Sequence, residues 1–399
     1  MSAPALRFKD DTGRDFAAWE HRLLGDVATF TKGKGLSKAD IDENGETPCI
    51  RYGELYTVYG ATIFDVKSKT KVNVANLVLS KANDVIIPAS GETQIDIATA
   101  SCVQLPGVAL GGDLNIIRSK LDGVFLSYYL NSQKKLDIAK LAQGNSVVHL
   151  YSSQLKQLEL KVPSSTEQTK IASFLTAVDE KLAQLTRKHD MLTQYKKGVM
   201  QQIFSQELRF KDNDVQEFPE WKECTIGEIA TQKSKKLNPE NAQDNLRCVE
   251  LEHISQNTGQ LLGYVDARKQ KSLKSQFSKG DVLFGKLRPY LRKYLKAPFD
   301  GVCSTEIWVL RGSSVTNDFL FHYVQAERFL TVANISSGSK MPRADWNVVA
   351  SEETEIPCKA EQTKIANFLT AIDEKITATK TQLEAVKHYK QGLLQQLFV

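Results

Sequence analysis

The sequence predicts an α+β protein in which two tandem globular domains are separated by two long helices, packed as an antiparallel coiled coil in a pseudo-twofold cyclic arrangement. Residues 163–204 and 357–398 align without a gap at an offset of 194, and 20 of the 42 aligned positions are identical. Chance gives roughly one match in sixteen, so the chain carries an internal duplication. Apolar residues recur at heptad spacing in both copies, and a second pair of matching stretches opens each domain.

Each repeated stretch is predicted to form one long coiled-coil helix. Two series of mostly apolar residues recur every seven positions, starting at Ile171 and Leu175 in the first copy and at Ile365 and Leu369 in the second. Five heptads favour a coiled coil, and about 36 helical residues rise roughly 54 Å. A proline precedes each stretch, and Thr166 is the predicted N-cap of the first helix. Neither helix can bury its apolar stripe alone, so we expect each to be the partner of the other.

The two globular domains are predicted to share one fold. LRFKD occurs at residues 6–10 and again at 208–212, and Trp19 and Trp221 follow at the same offset of 202. We therefore predict a domain at 1–160, a helix at 161–207, a domain at 208–354 and a helix at 355–399. The second helix would lead into domain one as the first leads into domain two. This closure predicts neighbouring termini and antiparallel helices.

Within the domains, turn residues divide the chain into short elements. In domain one we predict extended runs at 47–59, 76–79, 84–88, 95–105 and 114–117, then a helix at 123–136. In domain two we predict extended runs at 247–254, 281–284 and 301–310, then a helix at 318–331. Two short matches support a common fold: residues 49–50 correspond to 248–249, and residues 84–86 correspond to 281–283. A polar hinge precedes each long helix, at 143–149 and 337–343.

Composition is that of an ordinary globular protein, with 41% hydrophobic and 25% charged residues. No apolar run approaches the roughly 18 residues of a membrane span, and the N-terminal segment lacks an apolar signal-peptide core. The six cysteines are scattered without a CxxC pair. We therefore expect a cytoplasmic protein without membrane association or structural zinc. The net charge of +5 is compatible with an anionic partner, although many non-binding proteins share it.

The most distinctive local pattern is a cluster of basic and aromatic residues, KLRPYLRKYLK at 286–296, where two tyrosines lie among five cations. Arginine and lysine neutralise phosphates or pair with guanine, and tyrosine stacks or hydrogen-bonds, so we interpret this segment as a nucleic-acid contact; the alternative is a solvated basic edge. The hinges supply further candidates, unless they are plain turns. The candidate DNA-binding residues are Lys286, Arg288, Tyr290, Arg292, Lys293, Lys340 and Arg343 in domain two, and Lys32, Lys34, Arg51, Tyr52, Asn145 and His149 in domain one.

No segment predicts a catalytic or metal site. GDVLFGKL at 280–287 approaches the phosphate-loop pattern, but Leu287 stands where the magnesium-binding hydroxyl belongs and the strand lies inside the loop. The histidines are spread singly, and no nucleophile has an evident base. His189 falls on the heptad seam and is interpreted as a helix-interface residue. The repeated Asp-Glu-Lys at 179–181 and 373–375 is predicted to be a solvated charged face.

Several segments together are typical of one family. EQTKIASFLTAVDEK and EQTKIANFLTAIDEK open the helices, and YKKG and YKQG lie near their ends, followed by QQIF and QQLF. IRYGELYTVYG, FGKLRPYLRK, GVCSTEIWVL and GSKMPRADWN lie within the domains, and LRFKD opens them. On these segments, and over its full length, the chain resembles the specificity subunit of type I restriction-modification systems.

The resemblance implies that each globular domain is a target-recognition domain reading one half of a bipartite sequence in double-stranded DNA. It implies that the helices set the spacing and seat two methyltransferase subunits, which motor-nuclease subunits can join. Methylation, ATPase and nuclease activities would lie in those partners, so this chain would be a non-catalytic subunit without a cofactor. No methyltransferase tetrapeptide such as NPPY or DPPF occurs here. Because the domains differ, we expect an asymmetric target. The alternatives are a free-standing sequence-specific DNA-binding regulator and an enzyme with an unrecognised site.

Overall fold

A computed structural model of the chain describes residues 4–144, 147–241, 245–335 and 341–398. The chain divides into two compact units, Met1–Thr186 with Thr381–Val399 (unit 1) and Arg187–Lys380 (unit 2). Each unit therefore contains one globular domain and parts of both long helices. The predicted site residues Asn145 and Lys340 lie outside the described residues.

Unit 1 is a mixed α+β domain followed by the first half of a long helix. Its elements are β1 (Glu20–Leu23), α1 (Leu24–Val27), β2 (Ala28–Lys32), β3 (Thr47–Ile50), α2 (Glu54–Thr57), β4 (Thr62–Ile63), β5 (Ser68–Thr70), β6 (Asp84–Pro88), β7 (Ser90–Gly91), α3 (Gln94–Ile97), β8 (Ser101–Val103), β9 (Ala109–Leu110), β10 (Leu114–Ser119), α4 (Gly123–Asn131), α5 (Lys135–Leu141), β11 (Val148–His149), α6 (Ser152–Leu155), β12 (Glu159–Val162) and α7 (Ser165–Phe204), which continues into unit 2.

The central sheet of unit 1 has the strand order β2-β10-β6-β8-β4. Every residue of β6 is buried, because the strand has neighbours on both edges and helix α4 covers the sheet. The buried carboxylate of Asp84 is paired with Arg118 on β10, whose Nε lies 2.9 Å from Oδ1. A smaller sheet, β5-β3-β9, contains a parallel β3–β9 pair.

Unit 2 repeats this plan. Its elements after α7 are β13 (Lys222–Thr225), α8 (Ile226–Ile229), β14 (Ala230–Thr231), β15 (Lys236–Leu237), β16 (Arg247–Val249), β17 (Val265–Asp266), β18 (Lys274–Phe277), β19 (Val282–Gly285), β20 (Tyr294–Lys296), β21 (Gly301–Ser304), β22 (Ile307–Gly312), α9 (Asn317–Tyr323), α10 (Glu327–Ala333), α11 (Trp346–Ser351), β23 (Glu353–Ile356) and α12 (Lys359–Leu397), which continues into unit 1.

Strand pairing and ion pairs show that the two domains are copies of one fold. The order β14-β22-β19 in unit 2 matches β2-β10-β6 in unit 1, and the parallel β16–β21 pair matches β3–β9. The first strand of each domain pairs with the last, β1 with β12 and β13 with β23. Arg311 binds Asp281 with an Nη2–Oδ2 distance of 2.6 Å, as Arg118 binds Asp84.

The two long helices pack antiparallel within each unit. In unit 1, Ile171 and Leu175 near the start of α7 share a core with Leu393 and Leu397 near the end of α12. In unit 2, residues near the end of α7 share a core with residues near the start of α12, among them Val199, Ile203, Ile365 and Leu369. The α+β class and the antiparallel pairing are confirmed.

The start of the chain meets the end of α12, as the closure of the sequence predicts. In unit 1 the Leu6 amide donates to the carbonyl of Gln396 at 3.1 Å. In unit 2 the Leu208 amide donates to the carbonyl of Gln202 at 3.0 Å, across a continuous chain. The same backbone contact therefore forms with and without a covalent connection.

Several expectations about local structure are wrong. The predicted helix at 123–136 is two helices, α4 and α5, because α4 ends at Asn131, whose side chain binds the backbone of Ala100. The predicted helix at 318–331 likewise divides into α9 and α10. The strand predicted at 301–310 divides into β21 and β22, and no strand forms at 76–79. The runs at 47–59 and 95–105 contain the short helices α2 and α3.

Two expectations about the long helices also need correction. The N-terminal turn of α7 is bound by Ser164, whose Oγ accepts from the Glu167 amide at 3.3 Å, and Thr166 already lies inside the helix. The aspartates of the repeated Asp-Glu-Lys are not on a solvated face. Asp179 lies 2.5 Å from the ammonium of Lys390, and Asp373 lies 2.7 Å from that of Lys196.

Candidate nucleic-acid interface

The basic segment of unit 2 forms the loop between β19 and β20, and backbone hydrogen bonds fix its first residues. The Lys286 amide donates to the carbonyl of Glu306 at 3.0 Å, and the Ala344 amide donates to the carbonyl of Lys286 at 2.9 Å. The Arg288 amide donates to the carbonyl of Pro342 at 2.8 Å. The structure thus brings the predicted residues 286–290 beside the predicted Arg343.

The side chains of this loop differ in their exposure and in whether they have a bonding partner. Arg288 is exposed, as is Tyr290 with 55% of its surface accessible, and the described residues offer neither side chain a hydrogen-bond partner. Arg292 binds Glu327 at 3.1 Å, and Arg343 binds Glu306 at 3.0 Å, but both guanidinium groups remain partly exposed. Such groups are fixed in direction and can still donate to an added anion.

Backbone conformation sets the loop apart. Arg288 and Arg292 flank the single helical turn Pro289–Leu291, and both are left-handed, with φ of 52° and 49°. Because their Cβ atoms crowd the following carbonyl, this conformation costs roughly 1 kcal/mol for each non-glycine residue. Strain of this kind concentrates at functional sites.

Lys293 is placed differently from the other candidates. Its Nζ donates to the carbonyl of Leu251 at 2.6 Å, and the residue is half-buried. The adjoining Tyr294 is buried, and its hydroxyl donates to the carbonyl of Asn257 at 2.7 Å. Burial raises the pKa of Tyr294. These two residues hold the base of the loop in place.

The domain-one candidates are less clustered. Lys32 and Lys34 are exposed at the end of β2. Arg51 is half-buried, with Nε 4.0 Å from Glu54, and Tyr52 packs on the core below β3. His149 is exposed, and its ring stacks on that of Tyr151 with centroids 6.3 Å apart.

Hydrogen bonds identify the domain-one equivalent of the basic loop, which the sequence analysis missed. The Ala89 amide donates to the carbonyl of Asp113 at 2.7 Å, and the Leu150 amide donates to the carbonyl of Ala89 at 3.0 Å. His149 is paired with Ser90 as Arg343 is paired with Leu287. Residues 89–91 therefore take the places of 286–288. The match of 84–86 with 281–283, an offset of 197, already contained this signal.

The repeated EQTK motif joins each domain to its long helix. Glu167 binds Arg7 at 2.7 Å, and Glu361 binds Arg209 at 3.0 Å. The next residue is a glutamine in both copies, and its side-chain oxygen accepts from the backbone amide of the N-cap residue of a domain helix, Asp122 or Thr316. Its amide nitrogen donates to the carbonyl of the proline before the long helix. The motif lysines bind the backbone of the LRFKD segments. These contacts explain why the two motifs recur together.

The described residues contain no group of three or more His, Cys, Asp or Glu side chains that could hold a metal ion. Burial raises the pKa of Cys49 to about 11 and the pKa of Cys102 and Cys248 to about 12, so these thiols are poor nucleophiles. Among the helices that the structure describes, none has a stretch long and apolar enough to span a bilayer.

Comparison with known proteins decides the family. The model of the family described as "Type I restriction modification DNA specificity domain" matches residues 17–194 and again residues 219–388. The chain belongs to this family. Each match covers one globular domain and most of the helix that follows it, in agreement with the duplication.

Alignments with named relatives cover from 45% to 95% of this chain. The chain is 21% identical to the type I restriction enzyme MjaVIII specificity subunit of Methanocaldococcus jannaschii, over 95% of this chain and 92% of that protein. It is 28% identical to the HindI specificity subunit of Haemophilus influenzae, over 45% and 41%. The fold matches the crystal structure of the S subunit from M. genitalium with a TM-score of 0.65 and 17% identity, over 100% and 99% of the two chains.

Proposed function

We propose that this specificity-family chain is the non-catalytic DNA-reading subunit of a type I restriction-modification complex in the cytoplasm. The single observation that carries the proposal is one fold present twice with different exposed loops. Domains 1–160 and 208–354 each read one half of an asymmetric, bipartite target in double-stranded DNA. Methylation, ATPase and nuclease activities belong to partner subunits.

The basic loop of unit 2 supports direct reading of DNA. Arg288 and Tyr290 are exposed without a hydrogen-bond partner among the described residues, and the backbone of Arg288 is left-handed. An arginine with free donors can bind guanine or phosphate, and a tyrosine can stack or hydrogen-bond. Lys286, Arg292 and Arg343 add positive charge around them, which strengthens binding to the phosphate backbone.

The long helices, at 161–207 and 355–399 in the domain scheme, are proposed to set the distance between half-sites. Helix α7 has 40 residues and α12 has 39, so each rises about 60 Å. That length corresponds to less than two turns of B-DNA, at roughly 34 Å a turn.

Repeated exposed residues support two equal seats for methyltransferase subunits, which motor-nuclease subunits then join. Tyr195 and Tyr389 occupy equivalent positions and are 52% and 55% exposed. Three residues further on, Gly198 and Gly392 have open space where a Cβ would be. Glycine inside a helix costs roughly 1 kcal/mol relative to alanine, and no described contact in this chain requires it. A partner helix approaching closely beside an aromatic side chain accounts for both features.

Gel shifts with the purified chain, alone and with its methyltransferase subunit, test the proposal. We expect weak binding alone and tight, sequence-specific binding in the complex, whereas a free-standing regulator binds tightly without a partner. In the complex, Arg288→Ala should reduce discrimination at bases of one half-site only. Lys279→Ala, an exposed lysine outside the loop, serves as control. Tight specific binding by the chain alone, or loss spread over both half-sites, contradicts the proposal.

A further inference from the structure

The turn that follows β7 in unit 1 takes the place of the basic loop in unit 2. Residues 89–91 have the backbone hydrogen bonds of 286–288, so the chain leaves the sheet at the same point in both domains. In unit 2 the next residues are proline, tyrosine and arginine among further cations. In unit 1 they are Glu92, Thr93, Gln94 and Ile95. The two turns therefore carry charge of opposite sign.

The unit 1 turn presents its side chains to solvent. Glu92, Thr93 and Gln94 are exposed, and Ile95 is 47% exposed. The described residues offer the carboxylate of Glu92 neither a hydrogen bond nor an ion pair. Beside the turn, on the strand paired with β7, lies His149, and its stacking partner Tyr151 is 49% exposed.

Local contacts hold this turn in one conformation. Thr93 Oγ1 donates to Asp96 Oδ2 at 2.6 Å and accepts from the Asp96 amide at 3.1 Å. Ile97 is fully buried in the domain core and fixes the far end of the turn. Gln94 is thus the first residue of a capped helical turn, and Glu92 directly precedes its N-cap, so both belong to a defined local structure, as base-reading side chains need.

The chemistry of these residues suits base edges and not phosphates. A carboxylate repels phosphate but accepts a hydrogen bond from the N4 amino group of cytosine. A glutamine amide pairs with adenine, and an apolar side chain contacts the thymine methyl group. The turn therefore contributes to sequence discrimination without adding to the cationic charge that makes binding depend on salt.

We propose that the Glu92–Ile95 turn reads the half-site of domain one, with the Glu92 carboxylate accepting from a cytosine amino group in the major groove. This assignment rests on the proposed function and adds to the domain-one candidates, among them Arg51 and Tyr52, a turn that the sequence did not indicate. It also places the salt-dependent share of the affinity mainly on the cations of unit 2.

The test uses the complex of the full chain with its methyltransferase subunit. Binding is measured on duplexes in which each base pair of the methylated motif is replaced in turn, and on the motif itself at several salt concentrations. The variants are Glu92→Ala and Glu92→Gln. The controls are Arg288→Ala and Glu46→Ala, since Glu46 is an exposed carboxylate at the end of β3 opposite to Arg51.

Glu92→Ala is expected to lower discrimination about tenfold at one cytosine-containing position, in the half-site that Arg288→Ala leaves unchanged. Lys286→Ala, which removes a cation proposed to bind the phosphate backbone, is expected to reduce the slope of log affinity against log salt by about one, whereas Glu92→Ala leaves that slope unchanged or steeper. Glu92→Gln, which keeps an acceptor, should lose less discrimination than Glu92→Ala.

Three outcomes overturn the assignment. If Glu92→Ala matches Glu46→Ala at every position of a motif that the complex otherwise discriminates, the turn does not read bases, and the proposed function stands. The same holds if Glu92→Ala relaxes a position that Arg288→Ala also relaxes. If the wild-type complex shows no sequence preference, the proposed function itself falls and this assignment falls with it.

Discussion

Arg288 combines a strained backbone with an exposed guanidinium for which the described residues offer no partner. Its φ of 52° and ψ of 62° lie in the left-handed region, where glycine is favoured. The strain persists because its amide is bound to Pro342 and Pro289 fixes the next turn. A glycine would satisfy the backbone better, so the arginine is explained by its side chain.

The two effects can be separated by comparing Arg288→Gly with Arg288→Ala. Both remove the guanidinium, but only glycine relieves the left-handed strain. We expect Arg288→Gly to have a free energy of unfolding about 1 kcal/mol higher than Arg288→Ala, while both lose the same affinity for DNA. Urea unfolding monitored by tryptophan fluorescence measures this, since three of the four tryptophans lie in unit 2. Equal stability of the two variants would show that the loop is not strained.

At the candidate site, the sequence was enough to predict which residues are positively charged, but not which contacts their side chains make. The cations of 286–293 were identifiable because basic and aromatic residues cluster there, yet only the structure shows that Lys293 is bound to Leu251 and Arg343 to Glu306. The turn at Glu92 was missed because it has no positive charge. Its position depends on strand pairing between residues nearly sixty apart, which no local pattern reveals.

Between the two helices, ion pairs repeat with the sequence. Lys390 binds Asp179 in unit 1, and Lys196 binds Asp373 in unit 2, so each lysine on the heptad seam meets the aspartate of the opposite helix. The third partner differs: Tyr128 donates to Asp179, whereas His322 lies 3.9 Å from Asp373. Burial lowers the pKa of His322 to about 3, so it is neutral at pH 7 and Lys196 is the cation facing Asp373.

Removing the Lys196 ammonium should leave the partly buried Asp373 carboxylate without its cation and should therefore lower the free energy of unfolding. Burial already raises the pKa of Asp373, and Lys196 opposes that rise. With 14% and 30% of the two side chains exposed, we expect Lys196→Met to reduce the free energy of unfolding by about 2 kcal/mol at pH 7. A raised folded-state pKa favours folding at acid pH and loses that contribution as pH rises through it, so the deficit should shrink toward pH 4.

Urea unfolding at pH 7 and pH 4 checks this expectation, with Lys197→Met as the control because Lys197 is the exposed neighbour on α7. A deficit that is equal at both pH values, or one shared by the control, would show that the seam pair does not depend on the ionised carboxylate.

The long helices were predictable because their heptad pattern is local, is present in both copies and continues over five heptads. The domain helices were not. Residues 124–136 contain neither glycine nor proline, yet the helix ends at Asn131, whose side chain binds the backbone of Ala100. The run predicted as one strand at 301–310 forms two strands, β21 and β22, because a turn between them takes the chain from one sheet to another. Tertiary contacts decided these boundaries.

At the scale of the whole molecule, the internal duplication explains the repeated architecture. Two copies of one fold, each with its own half of both helices, place turns of opposite charge at equivalent positions, and we propose that these turns read the two half-sites. The repeated EQTK and LRFKD contacts keep each domain fixed to its helices while those loops vary. Specificity can then change at one half-site without a change at the other.

Methylation sequencing of DNA from a host that expresses this chain with its methyltransferase subunit tests the central claim most directly. The wild-type chain should produce one asymmetric motif in two parts with an unread gap. Deleting residues 183–189 from α7 and 377–383 from α12 removes one heptad from each, about 10 Å, and should shorten the gap by about three base pairs or abolish methylation. The bases of both half-sites should stay the same; new half-site bases, or a continuous motif, would contradict the account.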